Sequence, residues 1–205
     1  MKDPAGMRDE LREYKRSRII EEASTLFYAR GYEATSVDLI AEGLGVTKPF
    51  VYSYFKNKGA ILQAIYERQA ARLLDALQEA KKTAGPPEQR LRGFVRLFVE
   101  DNITHQVSSG VFLQEEKHLS EDAQERIRKI QREFDSLLAE LIQEGIDAGV
   151  FHVADAKIAS LCISGMVRWV HRWYRADGRL TADEVCDRMA DAALNLVCFR
   201  NGAAA

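Results

Sequence analysis

Apolar residues recur every third or fourth position through most of this chain, and no stretch alternates with a convincing period of two. The pattern therefore predicts helices throughout. A first helix is expected from about Arg8 to Arg30, with Leu11, Ile19, Ile20, Ala23, Leu26 and Phe27 on its inner side. Gly31 then supplies the left-handed residue that ends it. Thr35-Ser36-Val37-Asp38 reads as a capping box, Thr35 taking the Asp38 amide. The short helix it opens ends at Gly43 and Gly45. Thr47 is placed to cap a third helix with Pro49 in its first turn, and Asn57 a fourth, from Lys58 to about Lys82.

Thr83-Ala84-Gly85-Pro86-Pro87 is the clearest breaker. Beyond it, helices are expected at about Glu88–Thr104, Val111–Lys117 after a Ser108-Ser109-Gly110 turn, and from Ser120 to about Ala148. An apolar helix follows from about Asp155 to Arg175. A last one, opened by the capping box Thr181-Ala182-Asp183-Glu184, runs to about Arg200. No fixed-period repeat or low-complexity segment is present. The pattern is that of an all-α protein, with a small N-terminal domain of three short helices joined by the fourth to a larger helical domain.

Composition narrows the classes. The chain has 205 residues with 29 basic and 31 acidic side chains, a net charge of −2, which excludes a globally basic nucleic-acid coat. The start has no apolar core behind Lys2, so no signal peptide is expected. The apolar run Ile158 to Val167 is about half of a membrane span, so no membrane partner is expected. Cys162, Cys186 and Cys198 are odd in number and form no C-x-x-C, so they read as buried thiols in a reducing cytoplasm. His105, His118, His152 and His171 have no metal-ligand spacing. Common catalytic motifs are missing as well, so no metal, cofactor or catalytic residue is expected.

Charge becomes informative only locally. Gly43 to Lys58 carries three lysines and no acid inside a slightly acidic protein. Val37–Leu44 and Thr47–Lys56 read as a helix-turn-helix, with Ala41 small at the crossing and Gly45 at the turn. Ile40, Leu44, Val46, Val51 and Tyr54 form its core. At 100° per residue Val51, Tyr54 and Phe55 fall on one side of the second helix, and Pro49, Tyr52, Ser53 and Lys56 on the other. Such a helix enters the major groove. There Lys48 and Ser53 can donate to guanine or phosphate, and Pro49 or Phe50 can pack on a thymine methyl. Lys58, at the next helix start, suits a phosphate. A plain helical hairpin with an aromatic core is the alternative reading of the same residues.

The run Phe27-Tyr28-Ala29-Arg30-Gly31-Tyr32-Glu33-Ala34-Thr35-Ser36-Val37, then Ile40-Ala41, Gly45-Val46-Thr47-Lys48 and Tyr52-Ser53-Tyr54-Phe55-Lys56-Asn57-Lys58, closely resembles the N-terminal domain of TetR-family transcriptional regulators. The resemblance covers about the first 65 residues. Gly59-Ala60 departs from it where acidic residues are usual, and Phe50 where a small or polar residue is commoner. It implies a DNA-binding domain at 1–58 and a ligand-binding and dimerisation domain at 59–205. The implied partners are a palindromic double-stranded operator, a second copy of the chain and a small-molecule inducer, most often with repression as the outcome. The residues expected at DNA are Thr35, Ser36, Thr47, Lys48, Pro49, Phe50, Tyr52, Ser53, Tyr54, Lys56 and Lys58.

In the C-terminal half, two helices are apolar on more than one face, which suits a helix between its own core and a partner. Ile158, Cys162, Gly165, Met189, Leu196 and Val197 are the expected dimer contacts. Arg168, Arg172 and Arg175 fall at i, i+4 and i+7, with Trp169 and Trp173 adjacent. Guanidinium groups bind phosphate or carboxylate and indoles line acyl pockets, although basic residues at a helix end also simply complement its dipole. The segments Gly165–Trp169 and Trp173–Val185 look like the TetR branch governing fatty-acid, sterol or related acyl catabolism, several members of which respond to coenzyme A thioesters. Phe98, Phe112, Phe134, Arg168, Trp169, His171, Arg172 and Trp173 are accordingly the expected ligand contacts, for an acyl-CoA. A regulator of efflux or stress genes sensing hydrophobic drugs is the alternative within the family. An all-α enzyme or a helical interaction module is the alternative outside it.

Overall fold

The computed structural model describes residues 4–198. Ten α-helices follow one another: α1 Pro4–Arg30, α2 Val37–Gly43, α3 Lys48–Tyr52, α4 Lys58–Lys82, α5 Pro87–Thr104, α6 Gln106–Gln114, α7 Glu121–Asp147, α8 Ala156–Arg168, α9 Val170–Trp173 and α10 Ala182–Cys198, with a 3-10 turn at Glu116–His118 before α7. Most boundaries lie where the chain's own punctuation sets them. Gly31 and Gly45 take positive φ of 82° and 64° after α1 and α2. Asn57 accepts from the Ala60 amide at 2.8 Å and Ser120 from Ala123 at 3.3 Å. Thr181 and Glu184 cap one another reciprocally at 2.8 and 3.2 Å.

Two apolar cores share α4, which spans roughly 37 Å at 1.5 Å per residue. Around its first half, Ile61, Leu62 and Ile65 pack with Ile19, Ala23 and Phe27 of α1, Ile40 of α2 and Val51 of α3. Val111 and Phe112 of α6 and Ile127 of α7 complete this first core, so the N-terminal helices rest directly on those of the larger C-terminal part. Farther along, Leu73 and Leu77 join Phe94, Phe98, Phe134, Leu138, Ile163, Val167 and Val197 in the second core. Helix α10 lies along α5, aligned by Arg92 and Arg96 reaching Asp183, Asp187 and Asp191. Exposed pairs of this kind fix register more than they stabilise.

Several expectations are corrected here. Helix α1 begins before Arg8, and Leu11 is exposed rather than inward. Ser108-Ser109-Gly110 is not a turn but the middle of α6, because Gly110 lets the Tyr28 ring pack against its bare Cα. The helix expected over Asp155–Arg175 breaks at Trp169. There the Arg168 carbonyl, which a continuing helix would offer to the Arg172 amide, instead faces His171 Nδ1 at 2.8 Å, and the Arg172 amide turns to Trp169. Gln106 Nε2 holds the break by donating to the carbonyls of His171 (2.6 Å) and Tyr174 (3.1 Å). Val197, expected at a dimer contact, is fully buried in the second core. The expected helix end at Arg200 lies outside the described residues.

Candidate DNA interface and effector site

Helices α2 and α3 cross with Ala41 buried at their contact, and Val46 closes the turn by donating its amide to the Ala41 carbonyl at 2.9 Å. The recognition helix is shorter than its sequence pattern suggests. It ends at Tyr52, after which Ser53 and Tyr54 form a turn. Its outer surface carries Thr47, Lys48, Pro49, Tyr52, Ser53 and Lys56, all exposed, with Phe50 half-buried against Tyr54 at 5.2 Å. Lys48 Nζ reaches Asp38 at 2.8 Å and so ties α3 to α2. This hydrogen bond, with the attraction of the same carboxylate, holds the ammonium above its ordinary value. Ser53 Oγ donates to the Phe50 carbonyl at 2.6 Å, which commits its proton within the turn. Ser36 caps α2 by accepting from Leu39 at 3.2 Å.

The second constellation surrounds the end of α8. The Arg168 guanidinium lies over three rings, those of Phe98 on α5 (5.6 Å), Phe112 on α6 (5.6 Å) and Phe134 on α7 (5.4 Å). Phe98 and Phe134 also meet edge to face at 5.4 Å. Among the described residues the guanidinium has no hydrogen bond and no ion pair within 4 Å. Asp135 attracts it only from farther off. Burial pulls the Arg168 pKa down and pushes that of Asp135 up, as expected when a charge lacks a close partner. One turn earlier on the same face, Ser164 Oγ is buried without a hydrogen-bond partner. A cationic, hydrogen-bond-rich group in a ring of phenyls is chemically a receptor for an anionic or carbonyl oxygen carried on an apolar body. A surface cleft of about 660 Å³ lies alongside between α7 and α8 and includes Asp135, Lys157 and Leu161.

Comparison with known proteins settles the family. The family description "Bacterial regulatory proteins, tetR family" matches residues 19–65, and the tetracyclin repressor-like C-terminal domain matches residues 84–197. The chain belongs to the TetR family. It is 31% identical over 189 residues to the transcriptional repressor KstR2 of Mycolicibacterium smegmatis, covering 89% of this chain and 86% of that one. A tetR-family regulatory protein from Rhodococcus RHA1 superposes with a TM-score of 0.83 at 28% identity, over 90% of this chain and 98% of that one. AibR, seen in complex with isovaleryl coenzyme A and operator DNA, shares the fold at TM-score 0.76 and 24% identity, over 89% of this chain and 97% of that one.

As a TetR-family transcriptional regulator the chain uses some expected residues differently. Thr35, expected at DNA, is 1% exposed, and its hydroxyl donates to the Gly31 carbonyl at 2.9 Å. The capping role belongs to Ser36. Lys58 Nζ donates to the Tyr32 carbonyl at 2.7 Å and sits 4.0 Å over the Tyr32 ring, so it is engaged within the domain. Phe98, Phe112, Phe134 and Arg168 do come together. Because α8 breaks, Trp169 (58% exposed), Arg172 and Trp173 instead face solvent, away from the rings. His171 is buried, but against the Arg168 carbonyl. Ile158, Cys162 and Gly165 are exposed on α8, while Met189 and Leu196 are half-buried. Of the three thiols expected to be buried, only Cys186 is; Cys162 and Cys198 are exposed. Asp135 and Ser164 gave no sequence signal, since a lone carboxylate and a lone serine in amphipathic helices look like any others.

Proposed function

We propose that the chain is a homodimeric, ligand-released repressor, whose residues 1–58 read a palindromic operator and whose residues 59–205 pair and sense an acyl-CoA thioester. The observation that carries the ligand reading is the Arg168 guanidinium held among Phe98, Phe112 and Phe134 without a counter-anion. An effector offering an oxygen to Arg168 and hydrocarbon to the rings satisfies both. A hydrophobic cation of the kind pumped by efflux systems meets the wrong charge there. The repressor name of the KstR2 relative and the coenzyme A complex of AibR support this reading from outside the chain.

Pairing is supported by an exposed apolar row on α8, Ile158, Leu161, Cys162 and Gly165 at i, i+3, i+4 and i+7, with Trp169 exposed just past its end. A palindromic operator requires the two recognition helices of such a dimer to meet half-sites about 34–36 Å apart. An effector then acts by favouring another spacing.

The test is a melting-temperature and DNA-release panel of acyl-CoAs, free fatty acids and cationic drugs. A ligand at a hundredfold excess over Kd stabilises by about 2.7 kcal/mol. An acyl-CoA is expected to raise the melting temperature and release DNA. Arg168→Ala removes both responses and Arg172→Ala keeps them. Full release from Arg168→Ala overturns the site.

A further inference from the structure

Ser160, Ser164 and Arg168 step by four along one row of α8, so each stands a turn from the next on the same face. Ser160 Oγ donates back to the Lys157 carbonyl at 2.8 Å, the usual resort of a buried serine in a helix. Ser24 does likewise to the Ile20 carbonyl at 2.7 Å, and Ser109 Oγ accepts from Gln69 at 3.2 Å. Ser164 is also buried, yet its Oγ has no partner. A buried hydroxyl left unmet costs free energy. The row thus ends in two hydrogen-bond donors, Ser164 and Arg168, that nothing in the chain engages.

Charge decides which oxygen suits them. Asp135 follows Phe134 on α7 and stands half-buried in the wall of the cleft between α7 and α8. Asp135 and Arg168 each favour the other's charged form, but they form no ion pair within 4 Å. Lys157 also attracts Asp135, from the exposed first turn of α8 where solvent screens it. Other charges along the cleft are engaged elsewhere. Arg132 pairs with Glu125 at 2.8 Å, Glu140 holds Lys81, and Asp155 caps α8 at 2.8 and 3.0 Å. Arg168 and Asp135 therefore sum to zero beside the rings. A neutral carbonyl entering there keeps that balance. A carboxylate meets Arg168 but sets a second negative charge near Asp135, and loses more hydration on entering.

We propose that Ser164 and Arg168 together hold the carbonyl oxygen of a neutral acyl thioester, and that Asp135 excludes the free carboxylate of the same acyl group. This rests on the acyl-thioester reading and sharpens it. The chain senses the activated acyl group and is blind to the acid that hydrolysis releases from it. Both groups donate, and a carbonyl oxygen has two lone pairs to accept them. The cleft beside Asp135 gives the pantetheine arm its way out.

The experiment uses the full chain at neutral pH with matched probes: acyl-pantetheine thioesters, the free acids of the same chains, and acyl-CoAs, with affinities read by calorimetry. The wild type is expected to bind each thioester at least about tenfold more tightly than its acid. Asp135→Asn tightens the acid about tenfold and leaves the thioester within about twofold, so the preference collapses. Asp135→Glu keeps it. Ser164→Ala weakens the thioester about five- to tenfold without lowering the melting temperature of the unliganded chain, because it removes an unmet hydroxyl. A merely structural serine behaves in the opposite way, and that pattern removes Ser164 from the site. An Asp135→Asn variant that retains the wild-type preference overturns the exclusion while the thioester reading stands. A wild type that binds acid and thioester alike overturns this inference and leaves the ring cage as an acid site. A chain that binds neither thioesters nor acyl-CoAs overturns that reading and this inference with it.

Discussion

The ring of Tyr66 stacks on that of Phe112 with 4.8 Å between centroids, and the Tyr66 hydroxyl donates to the Val111 carbonyl at 3.0 Å. Tyr66 stands on α4, whose start follows the recognition helix. Phe112 stands on α6 and carries the Arg168 guanidinium. The pair therefore joins the two constellations in one contact between two helices. Burial pushes the Tyr66 phenol well above its ordinary range, so the bond persists at any working pH. Tyr66→Phe keeps the stack and removes one of the two hydrogen bonds to the Val111 carbonyl, which still accepts from the Glu115 amide at 3.0 Å, at a cost of about 0.5–1.5 kcal/mol. Phe112→Ala removes ring, stack and cage wall together. Denaturant unfolding measures the first. For the second, effector binding and DNA release are expected to weaken together.

A polar knot beside this contact is predicted to weaken in acid. Asp101 on α5 receives Arg72 Nε at 2.9 Å and Gln69 Nε2 at 3.1 Å from α4, and faces His105 Nδ1 at 2.9 Å. Burial alone would raise the Asp101 pKa, but the hydrogen bond to His105 and the attraction and hydrogen bond of Arg72 outweigh it, and the net direction is down. A depressed carboxylate contributes stability above its unfolded pKa of about 3.9 and loses it as pH falls through the folded value. Asp101→Asn is thus expected to cost about 1–2 kcal/mol near pH 7, since the pair is only partly buried. The gap to wild type narrows below about pH 4. Urea titrations at the two pH values check this, and a gap that widens in acid contradicts it.

Lys56 and Lys58 separate by what each is tied to. Lys58 binds the Tyr32 carbonyl inside the domain, whereas Lys56 is exposed. Lys58→Ala is expected to lower stability by about 1 kcal/mol, having removed a charged hydrogen bond and a cation–π contact. Lys56→Ala is expected to leave the melting temperature alone and to reduce the salt slope of DNA binding by about 0.9 per subunit.

Gly165 is exposed in the last turn of α8, with open space where a Cβ would stand. Gly165→Arg is tolerated by the monomer and places a charge in the apolar row. Sedimentation is expected to show monomers with unchanged helical content. A variant that still dimerises with wild-type affinity excludes this row as the contact.

Local chemistry announced most of the architecture. Asn57, Ser120 and the Thr181–Glu184 pair cap where they stand because their partners lie three residues away in sequence. What stayed hidden depends on distant partners. The break after Arg168 needs Gln106, 65 residues from His171, and the continuity of α6 through Gly110 needs the Tyr28 ring. Thr35 and Ser36 are chemically equivalent as caps, and only burial against α1 separates them. The aromatic cage was legible residue by residue, yet the indoles were misplaced because the pattern carried one helix through to Arg175.

The break in α8 also sets neighbours back to back. Arg168 turns its guanidinium inward to the rings while Trp169, the next residue, turns its indole outward at the end of the exposed row. A twist of that last turn moves both at once. Occupancy inside and association outside are then two readings of a single equilibrium, and coupling of that kind is reciprocal. For the proposed ligand-released dimer, effector affinity is then expected to depend on protein concentration, so that the supply of the regulator sets how much effector is needed to release it.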